Sequence, residues 1–201
     1  VSEPRPVPTG NTYDKYATTN PIERRMMSGF LRALDEMVDG LTPARVLEIG
    51  AGEGEVLARV TARHPGAVVI GCDLADHDLA GEWRAAGHLG LFADATRLPF
   101  PDRAFDVVLA IEVLEHIPRP ERALAELARV CSGTLVASVP LEPVWRAGNI
   151  ARGRYVRQLG NTPGHVNHWT RRGFRSFVAT RFDVESVRAP LPWTMVRAGA
   201  R

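Results

Sequence analysis

Short apolar runs and stretches of helical apolar spacing alternate along most of the chain. Met27, Phe30, Leu31, Leu34 and Val38 recur at a period near 3.6. Asn20 stands before them as an N-cap, Pro21 takes the first helical position, Glu23 completes a capping box, and Gly40 ends the run. From Arg45 the pattern predicts strands at 46–49, 68–72, 89–92, 105–111 and 134–139. Helices are predicted at 53–63, 78–86, 120–130 and 171–180, the last behind Thr170 as N-cap. Residues 182–187 and 193–196 read as a closing strand pair with no room for a helix between them. Apolar strands alternating with amphipathic helices imply a parallel sheet covered on both faces, and the final pair implies an antiparallel edge.

Composition narrows the class. With 201 residues and 45% hydrophobic content the chain can bury a full core. Residues 13–201 are expected to form one domain behind a flexible arm at 1–12, which carries three prolines and no periodicity. Net charge is +2, and the basic residues are 24 Arg against the single Lys15. No basic block points to nucleic acid, and no apolar run approaches the roughly 20 residues that span a membrane. No secretory signal is visible. Cys72 and Cys131 lie in apolar stretches without metal-ligand neighbours, so no metal site is expected and both read as buried free thiols of a cytoplasmic protein.

The candidate chemistry clusters just after the predicted strands, where open α/β sheets bind ligands. The first strand ends in Glu48-Ile49-Gly50-Ala51-Gly52-Glu53-Gly54, a turn stripped of side chains so that a ligand can approach the backbone. Dinucleotide turns want G-x-G-x-x-G, whereas here the third glycine comes one residue early. Asp73 ends the second strand, about twenty residues past the glycines, placed either for ribose hydroxyls or as a helix N-cap. Asp94-Ala95 follows the third strand, where Asp94 has a turn role as its plain reading. Glu112-Val113-Leu114-Glu115-His116 follows the fourth, and Asp106 near its start reads as a loop-stabilising carboxylate.

Together LEIGAGEGEVL, the acidic end of the second strand, DATRLPF, FDVVLAIEVLEHI and HVNHWT resemble the class I S-adenosylmethionine-dependent methyltransferases, in their small-molecule branch of types 11 and 12. The resemblance covers roughly residues 13–185. It implies a Rossmann-like, doubly wound, mostly parallel seven-stranded sheet with an antiparallel edge strand and helices on both faces. It also implies that Gly50, Ala51 and Gly52 back the methionine moiety of S-adenosylmethionine, with Glu48 anchoring the turn. Asp73 would hold the ribose, Leu74 would lie against the adenine, and Asp94 with Ala95 would meet its amino edge. Glu112 and Val113 would lie under the sulfonium, and Tyr13 would close over the cofactor.

The implied reaction is methyl transfer to oxygen or nitrogen of a small acceptor by in-line displacement, leaving S-adenosylhomocysteine. It mainly needs a nucleophile held in contact and dehydrated. His116 and His165 are the candidate bases, and His168 reads as structural. Residues 141–164 form an irregular connection about twice the routine length, expected to be a lid or acceptor loop. Within it Trp145, Arg154, Tyr155 and Arg157 are the candidate acceptor contacts. A small-molecule acceptor, no nucleic acid, no membrane span and a monomer or homodimer are expected, in secondary metabolism or a related small-molecule pathway. Two alternatives stand beside this reading: a nicotinamide-dependent oxidoreductase and a non-catalytic methyltransferase-like partner domain.

Overall fold

The computed structural model of the protein describes residues 19–153 and 155–201. The expected arm at 1–12 and two site candidates, Tyr13 and Arg154, lie outside the described residues. Five strands, β1 (Arg45–Ile49), β2 (Val68–Asp73), β3 (Leu89–Phe92), β4 (Phe105–Ile111) and β5 (Cys131–Pro140), run parallel. The closing pair is β6 (Phe182–Arg188) and β7 (Trp193–Ala200). The order is β3-β2-β1-β4-β5-β7-β6, so the antiparallel edge forms as expected, with the reversed strand β7 one place in from it.

Six helices join the strands: α1 (Pro21–Val38), α2 (Glu55–Arg63), α3 (His77–Ala86), α4 (Pro120–Val130), α5 (Val144–Ala151) and α6 (Arg171–Val178). Successive strand residues point to opposite faces, and the core divides accordingly. Val46, Val107 and Leu109 meet Phe30, Leu34 and Met37 of α1 and Val56 and Val60 of α2 on one face. Leu47, Val108 and Leu135 meet Leu124 and Leu127 of α4 and Phe174 and Val178 of α6 on the other. Fully burying a side chain of this size contributes about 1.5–3 kcal/mol, so both layers are needed to hold the sheet.

Local signals set the helix starts. Asn20 accepts from the amides of Ile22 and Glu23, and Thr170 from that of Gly173. Asp106 accepts from the amides of Ala44 and Arg45 and so ties the entry of β1 to β4, as its loop-stabilising reading requires. The helix expected from 53 begins instead at Glu55, because Gly54 is left-handed (φ 92°) and serves as its N-cap. The irregular connection expected at 141–164 is largely ordered. It holds α5 and a 3-10 turn at Val156–Gln158, because Trp145 and Asn149 both donate to the Thr162 hydroxyl and fold the segment onto itself.

Arg129 near the end of α4 fixes the connection between β3 and β4. Its guanidinium donates to the Leu98 and Phe100 carbonyls and to the carboxylates of Glu126 and Asp102. The same contact holds Glu126 below the usual carboxylate range, and Glu126 accepts in turn from the Leu98 amide. A lysine has no planar fork with which to reach four acceptors. Arg129→Lys is expected to lower unfolding stability by about 1–3 kcal/mol in urea titrations; an unchanged midpoint would show that the connection holds itself.

Candidate active site

The turn after β1 is built from backbone. Gly50 and Ala51 donate their amides to the Cys72 carbonyl at 2.7 and 3.3 Å, which carries the chain over the end of β2. Gly50 (φ 69°) and Gly52 (φ 49°) are left-handed, and a Cβ on Gly50 would lie 2.2 Å from Val113 Cγ2. From behind, the Trp83 indole donates to the Gly52 carbonyl at 2.7 Å, a buried contact. The Gly52 amide donates to Asp73 Oδ2 at 2.8 Å and the Leu74 amide to Oδ1 at 2.7 Å. Burial raises the Asp73 pKa, against the pull of those two amides. The cap of α3 is Asp76, which accepts from Asp78 and Leu79, so Asp73 is not the N-cap.

These groups open into a cavity of about 500 Å³ above the carboxyl ends of the parallel strands. On the same side stand Glu48, Leu74, Asp94 and Ala95, and Glu112 with Val113. Asp94 Oδ1 accepts from the Thr96 amide at 2.7 Å, so its turn role is real and coexists with its place in the cavity wall. Glu112 is left-handed (φ 59°) although it has a side chain. Two bonds to Ser138 hold it there: its amide donates to the Ser138 carbonyl, and its Oε1 accepts from the Ser138 hydroxyl. Backbone strain of this kind costs on the order of 1–3 kcal/mol and gathers at functional sites.

The other half of the cavity is walled by Met26 and Met27 of α1, Trp145 and Asn149 of α5, Tyr155, Thr162, His165 and Trp193. Trp193 packs between Phe30 and Trp145, with ring centroids 4.9 and 5.8 Å away. Arg152 closes one side by pairing with Glu23 at 3.3 Å and donating to Asn149 Oδ1. His116 and His165 meet edge to face at 4.8 Å. The Gly164 carbonyl can only accept, so His116 Nδ1 carries the hydrogen there (3.1 Å).

The cavity therefore brings together Glu48, Gly50, Ala51, Gly52, Asp73, Leu74, Asp94, Ala95, Glu112, Val113, His116, Trp145, Tyr155 and His165. Among the described candidates Arg157 is the exception: it sits in the exposed 3-10 turn and does not line the cavity, whereas Arg152, also of this segment, does. His168 hydrogen-bonds Asn161 on the exposed side, consistent with a structural role. Both cysteines are buried free thiols, pushed up to about 12 (Cys72) and about 11 (Cys131) chiefly by burial, so neither is a nucleophile. Trp83, Trp193, Met26 and Asn149 were not legible as site residues. A reversed strand must begin at the carboxyl end of its parallel neighbours, and that would have pointed to Trp193.

Comparison with known proteins decides the family. A family profile described as a methyltransferase domain matches residues 47–135. The demethylmenaquinone methyltransferase of Thermus thermophilus is 35% identical over 170 residues, which cover 80% of this chain and 74% of that protein. The chain belongs to the class I S-adenosylmethionine-dependent methyltransferases. The malonyl-[acyl-carrier protein] O-methyltransferase of Geobacter sulfurreducens is 35% identical over 59% of this methyltransferase but only 44% of its own length. The methyltransferase thus spans about half the length of several curated relatives it matches. Magnesium protoporphyrin IX methyltransferase from Synechocystis, solved with bound S-adenosylhomocysteine, shares the fold at TM-score 0.68 and 17% identity, with 92% of this chain and 90% of that one aligned.

The cofactor is S-adenosylmethionine, and the nicotinamide alternative falls with the family. The methyltransferase's own geometry fits that cofactor: a side-chain-free cradle that a single Cβ would fill, beside a half-buried carboxylate fixed by two amides. No helix among the described residues is long and apolar enough to cross a membrane.

Two outcomes are expected from calorimetry and denaturant melts. Gly50→Ala should weaken S-adenosylhomocysteine binding at least about tenfold, since left-handed strain of about 1–2 kcal/mol adds to the collision with Val113; unchanged affinity would place the ligand away from this turn. Asp73→Asn should make the stability of the ligand-free protein less dependent on pH. The native carboxyl holds its proton more tightly than the unfolded one, whose pKa is near 3.8. Relative to the asparagine variant, the wild type is therefore most stable below that value and loses ground as pH rises through the raised native pKa. A difference that does not change with pH would remove the burial cost assigned to Asp73.

Proposed function

We propose that the protein transfers a methyl group from S-adenosylmethionine to an oxygen or nitrogen of a small molecule with an apolar body. The observation that carries this reading is the continuity of the cavity, which runs from the glycine turn to the Trp145–Trp193 wall with two imidazoles between them. When bound, the cofactor supplies an electrophilic sulfonium methyl whose transfer by in-line displacement leaves S-adenosylhomocysteine.

Each residue has a role in this reading. Gly50, Ala51 and Gly52 give the methionine moiety backbone to lie against, and Glu48 anchors the turn from inside β1. Asp73 accepts the ribose hydroxyls, Leu74 covers the adenine, and Asp94 with Ala95 meets its amino edge. Glu112 and Val113 floor the reacting centre. Met26, Met27, Trp145 and Trp193 exclude water from the acceptor, which orients and dehydrates it; orientation of this kind can supply about 7–11 kcal/mol. In this reading the His116 and His165 rings take the proton from an acceptor hydroxyl. The 141–164 segment serves as the acceptor wall, with Tyr155 and Arg152 at its rim.

The relatives support a small acceptor: one is named for demethylmenaquinone and another for ubiquinone biosynthesis by O-methylation. The test is transfer of label from S-adenosylmethionine to a panel of hydroquinones, phenols and amines. With a working acceptor, Trp145→Ala and Arg152→Ala should each lower kcat/KM by about tenfold or more, because misplacement by about an ångström can cost a hundredfold. S-adenosylhomocysteine affinity should stay at the wild-type value in both. Unchanged kcat/KM in both variants would return this wall to a purely structural role, and absence of transfer to every class in the panel and to a cell extract would favour the non-catalytic partner domain.

A further inference from the structure

The sequence pointed to no metal, yet the fold gathers Glu115, His116 and His165 into one cluster. Each offers a ligand atom, and these atoms all lie within 4.8 Å of one another. We propose that the three hold a divalent transition-metal ion of the zinc type at the acceptor end of the cavity, with open coordination positions facing the acceptor.

The local structure is built to keep the three groups together. Glu115 and His116 sit in a 3-10 turn, Leu114–His116, directly after β4, while His165 arrives from the far side of the α5 segment. The two pieces are stapled by backbone and amide bonds. Val166 and Asn167 donate their amides to the Glu115 carbonyl, and the Asn167 side chain donates to the carbonyls of Leu114 and Ile117. Glu115 is 1% exposed and His165 8%, so this part of the cluster stands away from bulk solvent.

The orientation of His116 is an independent sign. Histidines that ligate metals usually donate the other ring N–H to a carbonyl or carboxylate, which fixes the tautomer. His116 Nδ1 makes this contact with the Gly164 carbonyl. Two imidazoles and one carboxylate suit zinc and its first-row neighbours better than the oxygen-seeking magnesium or calcium. Ligands at about 2.1 Å from a tetrahedral ion stand about 3.4 Å apart, so the widest pair closes by up to about 1.4 Å when the ion binds. Three protein ligands leave positions open, the arrangement of a catalytic rather than a structural ion. All three residues line the cavity.

An ion here would refine the acceptor class. With an ion bound, His116 and His165 act as its ligands and not as bases. A hydroxyl on the ion is more acidic than in water and gives its proton to solvent, so the site favours an oxygen acceptor over an amine. That refinement rests on the acceptor-lobe reading above; binding of the ion does not.

The test is calorimetry of the chelator-treated full chain with Zn²⁺, with Mg²⁺ as contrast, and the same titration of Glu115→Gln and His165→Asn. S-adenosylhomocysteine binding by every variant reports that the cofactor half is folded. The expected result is one equivalent of Zn²⁺ bound, no comparable Mg²⁺ binding, and an affinity about tenfold or more weaker in each variant, with S-adenosylhomocysteine affinity unchanged. Absence of Zn²⁺ binding by wild type, or binding that both variants retain in full, overturns the site. Should a variant also lose S-adenosylhomocysteine binding, His165→Gln takes its place and is judged by the same criterion. Wild type that binds Zn²⁺ but not S-adenosylhomocysteine would confirm the ion site while sinking the cofactor reading.

Discussion

The structure depends on a turn that must be bare on one face and held firmly from the other. After β1 the chain passes over the end of β2 with no side chain between Gly50 and the cavity, and Val113 already fills the space a Cβ would need. A turn so stripped has little packing of its own. Its rigidity comes from the Cys72 carbonyl below, the Trp83 indole behind and the Asp73 carboxylate beside it. Each partner belongs to β2 or α3, so the second βα unit determines the shape of the first. The carboxylate that fixes Gly52 is the one facing the cavity, and the burial cost it carries is a consequence of standing in both places.

The acceptor half rests on a different principle. Its walls come from the first helix, the α5 segment and the start of the reversed strand, joined by aromatic packing and by the Glu23–Arg152 pair. These are contacts between distant parts of the chain rather than a motif. The two halves meet at Glu112–His116, where a left-handed residue and a 3-10 turn bring β4 to an abrupt end. The half beside the glycine turn is made largely of backbone and carboxylates, and the half beside Trp145 and Trp193 of side chains from distant elements. Under the proposed function, such a division lets one fold keep its cofactor while changing its acceptor.

Legibility followed the same division. The strands and most helices were readable because burial on both faces leaves continuous apolar runs, and Gly50, Asp73 and Asp94 were readable because their chemistry sits at strand ends. Asp73 was open to an N-cap reading because it precedes an amphipathic run; the structure gives the cap to Asp76 instead. The α5 helix was hidden because Arg146, Gly148 and Asn149 break its apolar stripe, and its stability comes from Thr162, thirteen residues beyond Asn149. Arginines in that segment could be counted but not placed: Arg157 faces solvent while Arg152 reaches across to Glu23. The Glu115–His116–His165 cluster escaped notice for the same reason, because only the fold brings 165 against 115.

The place of β7 bears on how the chain reaches this state during synthesis. It is made after β6 yet lies between β5 and β6, so β6 has no hydrogen-bonding partner in the sheet until β7 arrives. Pairings of this kind, delayed and distant in sequence, form slowly and leave an unpaired edge exposed meanwhile. Trp193 opens that late strand and enters the cavity wall beside Trp145. A nascent chain can thus complete the glycine turn well before the Trp145–Trp193 end of the cavity has its walls, and the cavity closes only with the same event that seals the sheet.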